Sequence, residues 1–200
     1  MCYNAGRRVV AGRVRILGID PGLNVTGYGL LEADPRTLRI VEGGVVRTDA
    51  RDPLEVRLAA IHRGIAQVIG EGAPDLVVVE ELYSKYGHPK TAILMGHARG
   101  VVYLAAAAAG VPVESYTASQ VKKSITGNGS ATKEQMQRMI CRVLNLAKPP
   151  KPSDVADALA LAICSTIRGR IVATPRGQWL LPTRRGRADL PGGGRAVRRD

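Results

Sequence analysis

The run Ile16-Leu17-Gly18-Ile19-Asp20-Pro21-Gly22 reads as a buried strand that ends on a carboxylate. Side chains alternate along a strand, so Val14, Ile16 and Gly18 share a face with Asp20, while Leu17 and Ile19 join Arg13 and Arg15 on the other. Pro21 suits the second position of a tight turn, and Gly22 the third, where a positive φ is easy for glycine. Asp20 is thereby held at a rigid strand end beside a residue with no side chain to crowd it, where a metal or phosphate could come close. Aspartate also opens turns for purely local reasons. By itself the motif leaves both readings open.

Outward from this strand, residues 26–32 form a second strand in which Gly27 and Gly29 alternate with Tyr28 and Leu30. The short turn between the two makes an antiparallel hairpin. Residues 37–48 continue as a third strand. Residues 53–69 have helical spacing of apolar side chains (Leu54, Leu58, Ile61, Ile65, Val68), with Asp52 as N-cap and Pro53 at the first helical position. Next comes Leu76-Val77-Val78-Val79-Glu80, a continuous apolar run of the kind found in central parallel strands. It follows a helix, so a crossover should set it parallel to an earlier strand. A helix over 89–109, a strand over 111–116 and helices over 118–124, 132–146 and 153–167 complete the order, with Thr132 and Gln135 placed as a capping box. The expected fold is α/β, a mixed five-stranded sheet of three antiparallel strands followed by two parallel ones, flanked by helices.

Glu80 closes the second buried strand as Asp20 closes the first. A carboxylate behind four apolar residues is costly to bury unless paired or metal-bound, and ligands of open α/β sheets sit at the carboxyl ends of strands. Glu81 points the other way and suits solvent. Asp154 and Asp157, three apart at the start of the last helix, share one face. One of them is explained by capping or the helix dipole; two are more than capping requires. Four carboxylates from two strand ends and a helix turn suit a hard cation such as Mg²⁺. His62, His88 and His97 with Cys2, Cys141 and Cys164 give neither a zinc motif nor a disulfide framework.

The net charge of +12 is unevenly spread. Residues 13–81 are slightly acidic. Residues 82–152 carry ten Lys and Arg against Glu114 and Glu134, and residues 168–200 carry nine Arg against two Asp. Such blocks mark a polyanion-binding face, or simply a solvated one. Residues 1–12 lack the apolar run of a signal peptide, and no stretch reaches the roughly eighteen apolar residues of a membrane span. The chain is therefore expected to divide into a flexible extension (1–12), one globular domain (13–169) and a disordered Arg-rich tail (170–200), in a reducing, cytoplasmic setting with no membrane partner.

Five blocks in order, "ILGIDPGLNVTGYG" (16–29), "VVVEELY" (77–83), "GHARGV" (96–101), "SQVKKSITGNGSATKEQM" (119–136) and "SDVADALALAI" (153–163), resemble the RuvC Holliday-junction resolvases. The resemblance implies a ribonuclease H-like fold, a homodimer, and Mg²⁺-dependent paired nicking of four-way DNA junctions in recombination and repair. It further implies two ions per site, with Mn²⁺ as a substitute, and a branch-migration motor complex as partner. The acidic tetrad that serves catalysis and metal falls on Asp20, Glu80, Asp154 and Asp157. The aromatic that stacks on a base falls on Tyr83, and the motif lysines fall on Lys122 and Lys133, flanking the loop of Asn128, all expected to meet DNA. Arg99, in a helix of small residues, is assigned to DNA as well, although its helix could equally face a second subunit. Two other classes share part of the pattern. An actin-like or sugar-kinase ATPase uses the same hairpin but needs a second phosphate hairpin, which is missing, and a non-catalytic DNA-binding descendant would not need all four acids.

Overall fold

The computed structural model describes residues 7–34, 36–81, 89–168, 172–173 and 178–182. Its centre is a five-stranded sheet of β2 (Val14–Asp20), β3 (Val25–Ala33), β4 (Leu38–Arg47), β5 (Leu76–Glu80) and β6 (Val113–Tyr116), in the order β4-β3-β2-β5-β6. The pairs β2–β3 and β3–β4 are antiparallel, and β2–β5 and β5–β6 are parallel. This is the expected ribonuclease H-like order. Gly18 pairs with Val78 and Ile19 with Val79, so β2 and β5 run out together and deliver Asp20 and Glu80 to one edge.

Two cores form, one on each face of the sheet. Val14 and Ile16 of β2, with Leu76 and Val78 of β5, pack under α5 (Ser153–Ile167), α3 (Ala118–Thr126) and α4 (Lys133–Val143). Leu17, Ile19, Val77 and Val79 pack under α1 (Leu54–Gly72) and α2 (Pro89–Ala108). Burial on both faces explains why β5 is apolar throughout rather than alternating.

Glycine decides how close α5 comes. A Cβ at Gly18 would stand 1.9 Å from the Ala158 carbonyl oxygen, and one at Gly27 would stand 2.4 Å from that of Asp154. At Gly29 it would meet Leu159 Cδ2 at 2.6 Å. The three glycines form a ledge on β2 and β3: the helix backbone rests directly on Gly18 and Gly27, and the Leu159 side chain on Gly29.

Several local expectations are corrected. Helix α1 is capped by Pro53 without a side-chain bond, so Asp52 is not its N-cap. Gly22 does not have a positive φ. Its constraint is space, because a Cβ there would lie 2.3 Å from the Val25 carbonyl oxygen. The segments expected to lack regular structure contain β1 (Arg7–Ala11), β7 (Val172–Ala173) and β8 (Gln178–Pro182), which form a second sheet in the order β1-β8-β7. Their partners lie at opposite ends of the chain, a pairing no local pattern reveals.

Candidate active site

Asp20 and Glu80 line a cleft of about 280 Å³ with Asp157, Lys122 and Lys133, over a floor that includes Met136 and Leu161. Burial first, then the nearby Glu80 charge, push the Asp20 carboxyl up to about 8; a hydrogen bond between the two side chains and the charges of Asp157 and Asp154 add to the shift. Burial also raises Glu80, helped by Asp157 and opposed by the Asp20 hydrogen bond and by Lys122. Two buried carboxyls in contact cannot both ionise cheaply, so the pair retains a proton at neutral pH.

The third and fourth acids come from α5. The helix carries no side-chain cap at its N-cap, Pro152, so capping does not account for Asp154 or Asp157. Asp154 starts the helix against Gly27 and its charge reaches Asp20, although it lies outside the cleft lining. Asp157 faces the cleft, and Lys133 Nζ donates to its Oδ2 at 3.4 Å. The structure thus brings the four acids of the sequence reading to one end of the sheet. Glu81, as expected, is exposed.

The oxygen-only donors suit a hard divalent cation, and the cleft lining contains neither imidazole nor thiolate. Among the described residues no group of three or more Asp, Glu, His or Cys side chains is arranged to hold a metal ion. An open set fits Mg²⁺ nonetheless, since that ion takes one or two carboxylates and fills its octahedron with waters and substrate phosphate. Asp20 and Glu80, buried and in contact with each other, point the same way, because a bound cation would offset their charge.

The two lysines are positioned by capped helices. Thr117 and Gln120 form a capping box that starts α3, which carries Lys122; Thr132 and Gln135 form another at α4, whose first residue is Lys133. The box at Thr117 has the sequence signature Thr-x-x-Gln. Between the helices, Gly127 takes φ 79°, a left-handed conformation that favours glycine. Asn128 sits in the following turn, its Oδ1 accepting from Ser130 N at 2.9 Å. It lines a neighbouring groove of about 490 Å³ with Arg138 and Arg142 rather than the acid cleft.

Arg99, expected at DNA or at a second subunit, makes hydrogen bonds within the chain. Its guanidinium donates from Nε to the Glu80 carbonyl at 3.0 Å, and from a terminal nitrogen to Tyr103 Oη at 2.6 Å and Ser115 Oγ at 3.1 Å. Tyr83 lies outside the described residues. Sequence reasoning also missed Arg57. That buried side chain holds Thr48 Oγ1 at 3.0 Å and bonds Asn24, bracing the turn after Asp20. Nothing in the spacing of α1 separates it from a surface arginine.

The family model of crossover junction endodeoxyribonuclease RuvC matches residues 16–165. A crossover junction endodeoxyribonuclease RuvC of Rhodopirellula baltica is 52% identical over 149 residues, 74% of this chain and 84% of the relative. The Thermus thermophilus RuvC structure superposes with a TM-score of 0.72 at 35% identity, covering 78% of this chain and 96% of that one. The same protein in complex with a Holliday junction substrate gives 0.71 at 34%, covering 78% and 95%. The match takes in β2 from Ile16 onward, the other four strands of the central sheet and all four acids, and the chain belongs to the RuvC family of crossover junction endodeoxyribonucleases.

Proposed function

We propose that this protein resolves four-way DNA junctions by paired, symmetric nicks through Mg²⁺-dependent phosphodiester hydrolysis. The observation that carries the reading is the single cleft in which Asp20, Glu80 and Asp157 face Lys122 and Lys133. Acids alone suit many metal sites; acids rimmed by lysines suit a phosphodiester. The relative from Thermus is known with a junction bound. The direct experiment is incubation of the protein with a synthetic four-way junction and Mg²⁺. Nicks at symmetry-related positions support the reading, whereas binding without nicking, or equal cutting of linear duplex, refutes it.

Asp20, Glu80, Asp154 and Asp157 would hold the cations. Two bound ions, with Mn²⁺ able to replace Mg²⁺, would supply water activation and stabilisation of the leaving oxygen. The chain's own groups do the rest. Lys133 Nζ, resting on Asp157, is placed to move to a phosphate oxygen when DNA enters, and Lys122 offers a second positive contact. Met136 and Leu161 give the floor an apolar surface that limits water. The carboxyl oxygen of Asp20 that holds the proton shared with Glu80 must release it for the full anionic set to form. Asn128 meets an arm from its groove beside Arg138, and Tyr83 stacks on a base at the junction centre.

A junction has two strands of like polarity to be cut, and a two-fold dimer matches that symmetry. Ala98, Val102, Ala105 and Ala106 of α2 are buried in the core, which takes these four out of any interface, whereas Ala107, Ala108 and Ala109 are exposed. The opposite face offers Ile93 at 61% and Leu104 at 60% exposure, and that face is the proposed dimer surface. By length and apolar composition Thr91–Ala108 could pass for a membrane span, contrary to the sequence expectation. One face on the protein core and one on a second subunit account for its character without a membrane. We further assign the nuclease unit to residues 13–169, a cytoplasmic location, and a branch-migration motor as the wider partner.

A further inference from the structure

We propose that Arg99 is a positioning residue for Glu80, acting through the backbone rather than on DNA. The inference rests on the nuclease reading above.

Glu80 is the last residue of β5, where the ladder to β2 has already ended: the β2–β5 register stops at Ile19–Val79. Only the β6 side still holds it, through the pairing of Glu80 with Tyr116 and the bond from Glu81 N to Tyr116 O at 2.8 Å. A strand end tied on one side can pivot, and the cleft needs its carboxylate fixed. Arg99 reaches across from α2 and donates to the Glu80 carbonyl at 3.0 Å. The same guanidinium bonds Ser115, the neighbouring residue of β6, at 3.1 Å and Tyr103 at 2.6 Å. Tyr103 and Ser115 are themselves hydrogen-bonded. The guanidinium carbon also lies 4.7 Å from the centre of the Tyr103 ring, where the cation meets the π face.

One planar fork therefore ties the ends of two parallel strands to one helix. Arginine suits this task because its five donors have fixed directions, whereas lysine offers a point charge on a flexible stem. Spending a cation this way makes little sense for a surface residue, and it removes the guanidinium from the set free to meet phosphate. Small displacements of a catalytic group cost rate steeply, on the order of 100-fold for 1 Å. A bracket on the Glu80 carbonyl is where such a displacement would be prevented.

The test compares Arg99→Ala, Arg99→Lys, Tyr103→Phe and Ser115→Ala with the wild type, using a synthetic four-way junction. Affinity is measured without divalent metal at several salt concentrations, and single-turnover cleavage is measured with saturating protein in Mg²⁺. Arg99→Ala should cut about 10- to 100-fold more slowly, with affinity and its salt dependence unchanged. Arg99→Lys should stay slow despite its charge. Tyr103→Phe and Ser115→Ala should each lose a few-fold, and Arg99→Ala combined with Ser115→Ala should lose less than the product of the single losses, as expected for one network. If Arg99→Ala fails to fold, Tyr103→Phe decides: slowed cleavage at unchanged affinity supports the bracket, and wild-type cleavage overturns it. A drop in affinity with a salt slope smaller by about 0.9 would mean a phosphate contact and overturn it, as would full activity in Arg99→Lys or Arg99→Ala. Failure of the wild type to cut the junction would instead overturn the nuclease reading itself.

Discussion

Gly27 of β3 lies so close to Asp154 of α5 that a Cβ on the glycine would stand 2.4 Å from the aspartate's carbonyl oxygen and 2.9 Å from its Cβ. The approach sets where the last helix begins, and with it where two of the four acids stand. Gly27→Ala must push the start of α5 away from Asp20. Overpacking of this kind costs about 1–3 kcal/mol. We expect a folded protein of lower urea midpoint that binds junctions and cuts them poorly. Gly18→Ala, with backbone at 1.9 Å, should be far more damaging and is expected to prevent stable folding. Circular dichroism during urea titration, paired with a cleavage assay, checks both.

Removal of single acids separates chemistry from binding. Asp20→Asn, Glu80→Gln, Asp154→Asn and Asp157→Asn should each leave the fold and junction affinity near wild type. Cleavage should fall by at least about 100-fold, the scale seen when one preorganised electrostatic group is removed. Near-normal nicking by any one variant would exclude that residue from the site.

The raised Asp20 carboxyl gives a stability signature with a definite sign. In the unfolded chain this group titrates near 3.8; in the folded protein it is pushed up to about 8. The folded state thus holds the proton more tightly, and its stability falls as pH rises from near 4 through about 8. In EDTA, wild-type protein should melt lower at pH 9 than at pH 5. Asp20→Asn cannot ionise and should flatten that slope, melting above wild type at pH 9. For a chain of this size each kcal/mol is worth about 2–4 °C, so differential scanning calorimetry resolves the effect. A wild-type melting temperature that rises between pH 5 and pH 9 would count against the shared proton.

The lysines should reveal themselves through salt. Lys122→Ala and Lys133→Ala are each expected to weaken junction binding and lower the slope of log K against log salt by about 0.9. Lys133 is half-exposed and its bond to Asp157 is long, so losing that pair should leave stability almost unchanged. An unaltered slope would make them ordinary surface lysines.

The dimer surface is tested on the outer face of α2. Replacing Ile93 and Leu104 together by Asp should shift sedimentation equilibrium toward monomer without loss of helical signal.

The strand-end acids were legible in the sequence because their signals are local. An apolar run that halts on Asp20 or Glu80 needs only alternation and burial to be read. The spacing of Asp154 and Asp157 is equally local. The glycine ledge was not legible in this sense: Gly27 and Gly29 show as an alternation, but that a helix over a hundred residues later rests on them is a tertiary fact. The hydrogen bonds of Arg99 were illegible for a different reason. Its helix has apolar residues around most of its circumference, so periodicity could not say which way the guanidinium points, and only the partners at Glu80 and Ser115 settle it. The β1–β8 pairing joins residues more than 160 positions apart and leaves no mark in either segment.

The contact of α5 with the ledge also bears on how the enzyme comes into being. Asp20 is synthesised early and Asp154 and Asp157 late, and the glycine face of β2 and β3 is covered only once α5 has docked. A chain still emerging from the ribosome, with residues up to about 150 exposed, has the strand ends and both lysines but only half of the acidic set. Long-range closure of this kind comes late in folding. A chain cut short before α5 is therefore expected to lack cleavage, because Asp154 and Asp157 and the helix that seats them come last.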